Sequence, residues 1–228
     1  MNNPLIVALD VDNPDEALEF VRKIGPAADF YKVGIELYAA AGMQIVRQLE
    51  ALSKKVFLDL KLYDIGETVK RATRQILKDE AIHMLTVHGS GTVMRAAVDG
   101  RGENKAKLLA VTVLTSFDQE DLADLGYATP ISELVELRVR KAKASGMDGI
   151  VCSPLEVGRV REVGGPELTL VTPGVRSPGA STGDQKRVAT PAEAIRNGAD
   201  YLVIGRQVTR AADPAAAVAE VLLELQVR

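Results

Sequence analysis

Eight short apolar runs, each followed by a stretch of helix-forming character, constrain this chain more than any other feature. The runs cover residues 5–11, 30–35, 56–62, 84–87, 108–114, 149–152, 168–171 and 201–204. They lack clean polar–apolar alternation, as expected of parallel strands covered on both faces. Helix-start signals lie between them. Asn13-Pro14-Asp15-Glu16, Ser153-Pro154-Leu155-Glu156 and Thr190-Pro191-Ala192-Glu193 each set a capping residue ahead of a proline and an acid, and Asp213-Pro214 opens the last helix. Such caps satisfy orphan backbone N–H groups, and proline at the first helical position sacrifices none. Ala17, Val21 and Ile24 recur at helical spacing, an apolar stripe for packing on a sheet. Gly25, Gly146 and Gly198 stand where helices should stop.

Strand–helix alternation along the whole chain predicts an α/β fold with parallel strands and right-handed crossovers. Eight units favour closure into a (β/α)8 TIM barrel. A doubly wound open sheet is the alternative, since periodicity alone does not show closure. The 228 residues contain no residue-level repeat, low-complexity tract or linker, and read as a single domain over 1–228. A net charge of −3 argues against a nucleic-acid or anionic-membrane partner. The single cysteine, Cys152, forms no internal disulfide and reads as a small buried apolar residue in a reducing compartment. The first apolar run is too short to span a bilayer and lacks a signal peptide's basic start, so a cytoplasmic protein is expected.

In such a barrel, chemistry sits at the C-terminal ends of the strands. Asp10 closes the first strand and Lys32 lies in the second. Asp59 and Lys61, two apart on the third, point to one face with Phe57, while Leu58, Leu60 and Leu62 take the other. Charges facing a barrel interior are costly unless paired, so this pair is either a structural ion pair at the mouth or part of a site. Asp64 follows just past the strand; alone, Asp64-Ile65-Gly66-Glu67 reads as a capping box for the next helix. His88 ends the fourth strand, as a rim residue or a reacting one, and His83 sits at a helix–strand junction. Thr115 and Ser116 end the fifth strand. The stretch 172–189 is long and non-periodic, which points to a functional loop. Near it, Gly205-Arg206 at the end of the eighth strand suits a phosphate dianion, with backbone N–H groups and a guanidinium.

Asp59-Leu60-Lys61-Leu62-Tyr63-Asp64-Ile65 strongly resembles the Asp-x-Lys-x-x-Asp-Ile signature of the orotidine monophosphate decarboxylase family. Val7-Ala8-Leu9-Asp10, Tyr31-Lys32-Val33-Gly34, Val113-Leu114-Thr115-Ser116, Val171-Thr172-Pro173-Gly174-Val175-Arg176, Gly183-Asp184-Gln185 and Val203-Ile204-Gly205-Arg206 resemble further family motifs, in family order. The resemblance implies a cofactor-free decarboxylase that needs no metal and works as a homodimer with shared active sites. Its substrate would be a small-molecule nucleotide, with no nucleic acid or membrane involved. Lys32, Asp59, Lys61 and Asp64 would form an alternating-charge network, with Asp64 supplied by the partner subunit. Lys61 would protonate the carbanion left at pyrimidine C6, and Asp59 would face the departing carboxylate. Asp10 would bind ribose hydroxyls and Thr115 the pyrimidine edge. Gln185 would bridge base and phosphate, while Gly205, Arg206 and Arg176, with Pro173 beside them, would hold the phosphate end. Ile65 and Thr68 of the partner would help close the site.

The chemistry fits these residue types. A ring carbanion needs a fixed cation that can donate a proton, which lysine does and arginine does poorly. Several positions depart from the family pattern: Tyr63, Gly66-Glu67, His88-Gly89-Ser90-Gly91-Thr92 and Gln207. None replaces a residue assigned chemistry. Two rivals stand beside this reading. A related sugar-phosphate decarboxylase or aldolase-type barrel would require Mg2+, for which Lys32 is a poor neighbour because hard cations take oxygen ligands. A nucleotide-binding barrel without turnover would share the fold.

Overall fold

The computed structural model describes residues 3–177 and 189–226. Its strands and helices alternate: β1 (Leu5–Ala8), α1 (Pro14–Ile24), β2 (Phe30–Gly34), α2 (Ile35–Ala41), α3 (Met43–Ala51), β3 (Lys55–Leu62), α4 (Gly66–Ile76), β4 (Ile82–His88), α5 (Gly91–Arg101) and β5 (Lys107–Val111). There follow α6 (Gln119–Asp124), α7 (Ile131–Ala144), β6 (Gly149–Val151), α8 (Val157–Gly164), β7 (Thr169–Pro173), α9 (Pro191–Arg196), β8 (Tyr201–Ile204), α10 (Arg206–Thr209) and α11 (Pro214–Glu224). The eight strands pair in sequence order, all parallel, and β1 closes on β8 through Leu5–Leu202, Ile6–Val203 and Val7–Ile204. The open-sheet alternative is thereby excluded, and the fold is a (β/α)8 barrel.

The strand runs lack alternation because both faces are buried, each in a different core. Ile6, Phe30, Phe57, Met84, Leu109, Val171 and Val203 pack inside the barrel. Leu5, Val7, Val33, Leu58, Leu85 and Leu108, an odd number of positions away, pack outward against the helices with Ala17, Val21 and Ile24 of α1. Burying one such Leu or Phe side chain contributes about 1.5–3 kcal/mol. One step nearer the mouth, the inward positions become polar: Lys32 above Phe30, Asp59 above Phe57, and Thr86 above Met84.

Asn13, Thr190 and Asp213 cap α1, α9 and α11 as expected, Thr190 in a full capping box with Glu193. Two expected caps do not form. The Ser153 hydroxyl accepts from Leu155 N at 3.3 Å, making a turn, and α8 starts only at Val157. Asp64 accepts from its own neighbour Ile65 N at 2.6 Å; Ile65 is the N-cap of α4, with no side-chain hydrogen bond. The capping-box reading of Asp64 is therefore corrected, because its carboxylate is engaged one residue too early to reach the N3 amide. Strand ends also shift. β1 stops at Ala8, so Asp10 lies two residues beyond it. β5 stops at Val111, leaving Thr115 and Ser116 in the following loop, and Arg206 opens α10. His83 is the second residue of β4.

Candidate active site at the barrel mouth

A cavity of about 730 Å3 opens at the C-terminal ends of the strands. Four charged side chains form a chain across it. Lys32 Nζ donates to Asp10 Oδ1 at 2.6 Å and lies 3.9 Å from Asp59 Oδ2, and Lys61 Nζ donates to Asp59 Oδ2 at 2.8 Å. The signs alternate from Asp10 to Lys61. Lys32 and Asp59 are the inner pair, with side chains 11% and 13% exposed. Burial pushes the Asp59 carboxyl up, but the Lys32 and Lys61 ammonium groups, with hydrogen bonds from Lys61 and Thr86, outweigh it and hold the carboxyl below its ordinary value. The carboxylate is thus ionised at neutral pH beside two cations.

The backbone at Lys61 is left-handed, with φ of +49°. For a residue with a Cβ this costs about 1–2 kcal/mol, and such strain concentrates at functional sites. The β3–β4 register shifts between Leu58 and Leu62, the mark of a bulge. Gly34 makes room for the buried lysine: a Cβ there would stand 2.9 Å from Lys32 Nζ and 3.3 Å from Asp10 Oδ1.

Thr115, Ser116, Pro173, Arg176, Gly205 and Arg206 also line the cavity, so the expected base-edge and phosphate residues converge with the charged chain. Gln185, with Gly183 and Asp184, lies outside the described residues. Asp64, Ile65 and Thr68 do not line the cavity of their own chain; Ile65 is 72% exposed. Tyr63, 69% exposed, packs against the His88 ring with centroids 4.3 Å apart and the planes tilted by 41°. Burial and the nearby Arg138 charge lower the His88 pKa, which keeps the ring neutral at pH 7. Gln207 ties down the segment after β7: its Nε2 donates to Ser177 Oγ at 2.5 Å, and its Oε1 accepts from Ser177 N at 3.2 Å.

Thr86 is the lone polar residue of the apolar run 84–87, two before His88, and that polarity is the one sequence signal that marks it. Phe20, Glu16, Glu36 and Arg210 are further lining residues without a strand-end signature. A second cavity, of about 630 Å3, opens at the opposite rim around Phe30, His83 and Tyr201. There Lys55 pairs with Asp29 at 2.9 Å and Lys107 donates to Thr169 at 2.8 Å. Barrel chemistry belongs to the C-terminal face, and the Asp10–Lys32–Asp59–Lys61 chain lies there too.

Fold and site together define a barrel enzyme-type mouth built around an alternating Asp–Lys–Asp–Lys chain. The profile of the Orotidine 5'-phosphate decarboxylase / HUMPS family matches residues 3–221, and the chain belongs to that family. It is 50% identical over 221 residues to an orotidine 5'-phosphate decarboxylase of Rhodopseudomonas palustris (strain BisA53), covering 97% of this chain and 94% of that protein. An orotidine 5'-phosphate decarboxylase of Methylobacterium nodulans is 49% identical over 224 residues, covering 97% and 94%. Among solved structures, an orotidine 5'-phosphate decarboxylase from Lactobacillus acidophilus superposes with a TM-score of 0.87 at 36% identity, covering 99% of this chain and all of that one. An uncharacterized conserved protein from Geobacillus kaustophilus gives a TM-score of 0.84, also at 36% identity. Among the described residues no helix is long and apolar enough to cross a membrane.

Proposed function

We propose that the chain decarboxylates orotidine 5'-monophosphate to UMP without cofactor, the last step of de novo pyrimidine biosynthesis. The Lys32–Asp59–Lys61 chain at the mouth, with Lys32 and Asp59 its inner pair and Lys61 partly open to the cavity, carries this reading. The C6–carboxylate bond breaks, CO2 leaves, and the electron pair stays on C6. Lys61 then gives an ammonium proton to C6 and recovers one from solvent. Lys32 and Asp59 hold Lys61 in place, and Asp59 faces the departing carboxylate. Asp10 takes the ribose hydroxyls and Thr115 the pyrimidine edge. Gln185 bridges base and phosphate, and Gly205, Arg206 and Arg176, with Pro173 beside them, hold the phosphate.

The largest typical enzyme accelerations, outside the slowest uncatalysed reactions, correspond to about 23 kcal/mol of barrier reduction, whereas an exposed ion pair supplies at most about 1 kcal/mol. The charges therefore act because they are fixed before substrate arrives and are shielded from water, with phosphate contacts contributing remote binding energy.

Asp64, Ile65 and Thr68 complete the site of a partner subunit in a homodimer. Asp64 and Ile65 are exposed, Thr68 is half-buried, and none of the three lines the cavity of its own chain, which supports that arrangement. The setting is cytoplasmic.

The second reading is a Mg2+-dependent sugar-phosphate decarboxylase within the same family, favoured only by Gly66. A Cβ at Gly66 would meet Ala96 at 3.6 Å and Thr92 at 3.7 Å, which are ordinary contacts, so the glycine is no steric necessity. Absorbance loss of orotidine 5'-monophosphate in excess chelator separates the two. Rapid turnover supports the cofactor-free decarboxylase. No turnover, with Mg2+-dependent activity on a sugar phosphate, selects the second reading.

A further inference from the structure

We infer that Thr86 is a positioning residue that sets the geometry of the Asp59–Lys61 pair through its hydroxyl. The inference rests on the decarboxylase reading above. Thr86 lies on β4, fully buried, on the inner face above Met84. Its Oγ1 accepts from Lys61 N at 2.9 Å and donates to Asp59 Oδ1 at 2.8 Å. The direction of both bonds is determined. An amide N–H only donates, so the hydroxyl oxygen must accept there, and its single hydrogen is left for the ionised carboxylate, which only accepts.

The ladder shows why a side chain is needed. Leu58 pairs with Leu85 and Leu62 with Val87. Residues 59–61 of β3 therefore stand opposite Thr86 alone. In a regular ladder, backbone carbonyls would satisfy the Lys61 N–H. At the bulge the Thr86 hydroxyl does so, and it holds Lys61 in its left-handed conformation. The same atom anchors the far oxygen of Asp59, while the near oxygen, Oδ2, holds Lys61 Nζ. One hydroxyl thus fixes both ends of the pair: the backbone that aims the lysine and the carboxylate that receives it. β-Branching restricts χ1 of Thr86, so the anchor is itself stiff.

A threonine that merely satisfies the bulge would affect stability alone, whereas one that aims Lys61 affects the chemical step. Thr86→Val keeps size and branching and removes the hydroxyl; Thr86→Ser restores it. With orotidine 5'-monophosphate as substrate, Thr86→Val should lose about 10- to 100-fold in kcat, the range that sub-ångström to ångström misplacement costs. KM should change less than about threefold, and Thr86→Ser should recover kcat to within about fivefold of wild type. If Thr86→Val does not fold, Thr86→Cys, a weaker donor and acceptor, should show the same kcat loss in milder form. A valine or cysteine variant with wild-type kcat, a loss confined to KM or thermal midpoint, or a serine variant no better than valine would overturn the inference. Failure of the wild type to turn over this substrate would instead remove the functional reading, and this inference with it.

Discussion

Alanine at Gly34 should damage activity while leaving the fold nearly intact. The backbone there, at φ −89° and ψ −178°, is open to alanine, so no strain arises from the main chain. The whole effect comes from the added Cβ, 2.9 Å from Lys32 Nζ and 3.3 Å from Asp10 Oδ1. Ordinary non-bonded contacts are about 3.5 Å or longer, so the ammonium must withdraw by roughly half an ångström. It is the free end of a flexible side chain, so the shift costs little stability, below about 1 kcal/mol, or about 2–4 °C in Tm. That ammonium nevertheless links Asp10 at 2.6 Å to Asp59 at 3.9 Å. A 1 Å misplacement in a preorganised site costs about 100-fold, so half that displacement should cost about tenfold in kcat/KM. Steady-state turnover of orotidine 5'-monophosphate and a thermal melt, run together, check both halves. A Gly34→Ala enzyme within twofold of wild type in kcat/KM would refute the claim that the Lys32 position matters.

Subunit mixing tests the shared site: Lys61→Ala and Asp64→Ala dimers should each be nearly inactive. Random re-pairing makes half the dimers mixed, each with one intact site of two, which should restore about a quarter of wild-type activity; no recovery under confirmed exchange would place Asp64 outside the partner's site. Asp59 has a lowered folded pKa, so its stabilising effect is fully present above its ordinary value of 3.8 and is lost as pH falls through the lower folded value. Asp59→Asn should therefore melt below wild type by a constant margin above about pH 5, the margin shrinking only under more acid conditions; a margin that vanishes near pH 6 would contradict the lowered pKa. At the opposite rim, Arg161 donates to the carbonyls of Gly165 (2.9 Å), Leu168 (2.7 Å) and Gly198 (2.7 Å) and to Asp200 (2.8 Å). Arg161→Ala should cost about 2–3 kcal/mol in denaturant unfolding with kcat within twofold, since the proposed site lies at the other end.

The barrel was legible because burial on both faces leaves continuous apolar runs, and all eight marked true strands. Their limits were not, because hydrophobicity reports burial rather than ladder bonds. The runs 5–11 and 108–114 continue as packed loop beyond Ala8 and Val111, and so misplace Asp10 and Thr115 by a few residues. Asp59 and Lys61 announced themselves as charges in an apolar strand. The left-handed turn at Lys61 did not, since nothing in a lysine demands positive φ; the conformation is imposed by the bulge and by Thr86. Asp64 misled in the other direction, because a capping pattern can be present while the side chain satisfies a nearer amide. The split of the second crossover into α2 and α3 at Gly42, φ +56°, also went unread, since its apolar stripe continues across the break.

The central claim is that Lys61 protonates the pyrimidine carbon. The direct measurement is kcat of wild type and Lys61→Ala on orotidine 5'-monophosphate in chelator, with UMP affinity measured alongside. The account predicts turnover by the wild type and a loss of about 100- to 10,000-fold in the variant, the range for a positioned general acid, with UMP still bound. A variant that binds UMP and turns over within tenfold of wild type would contradict it.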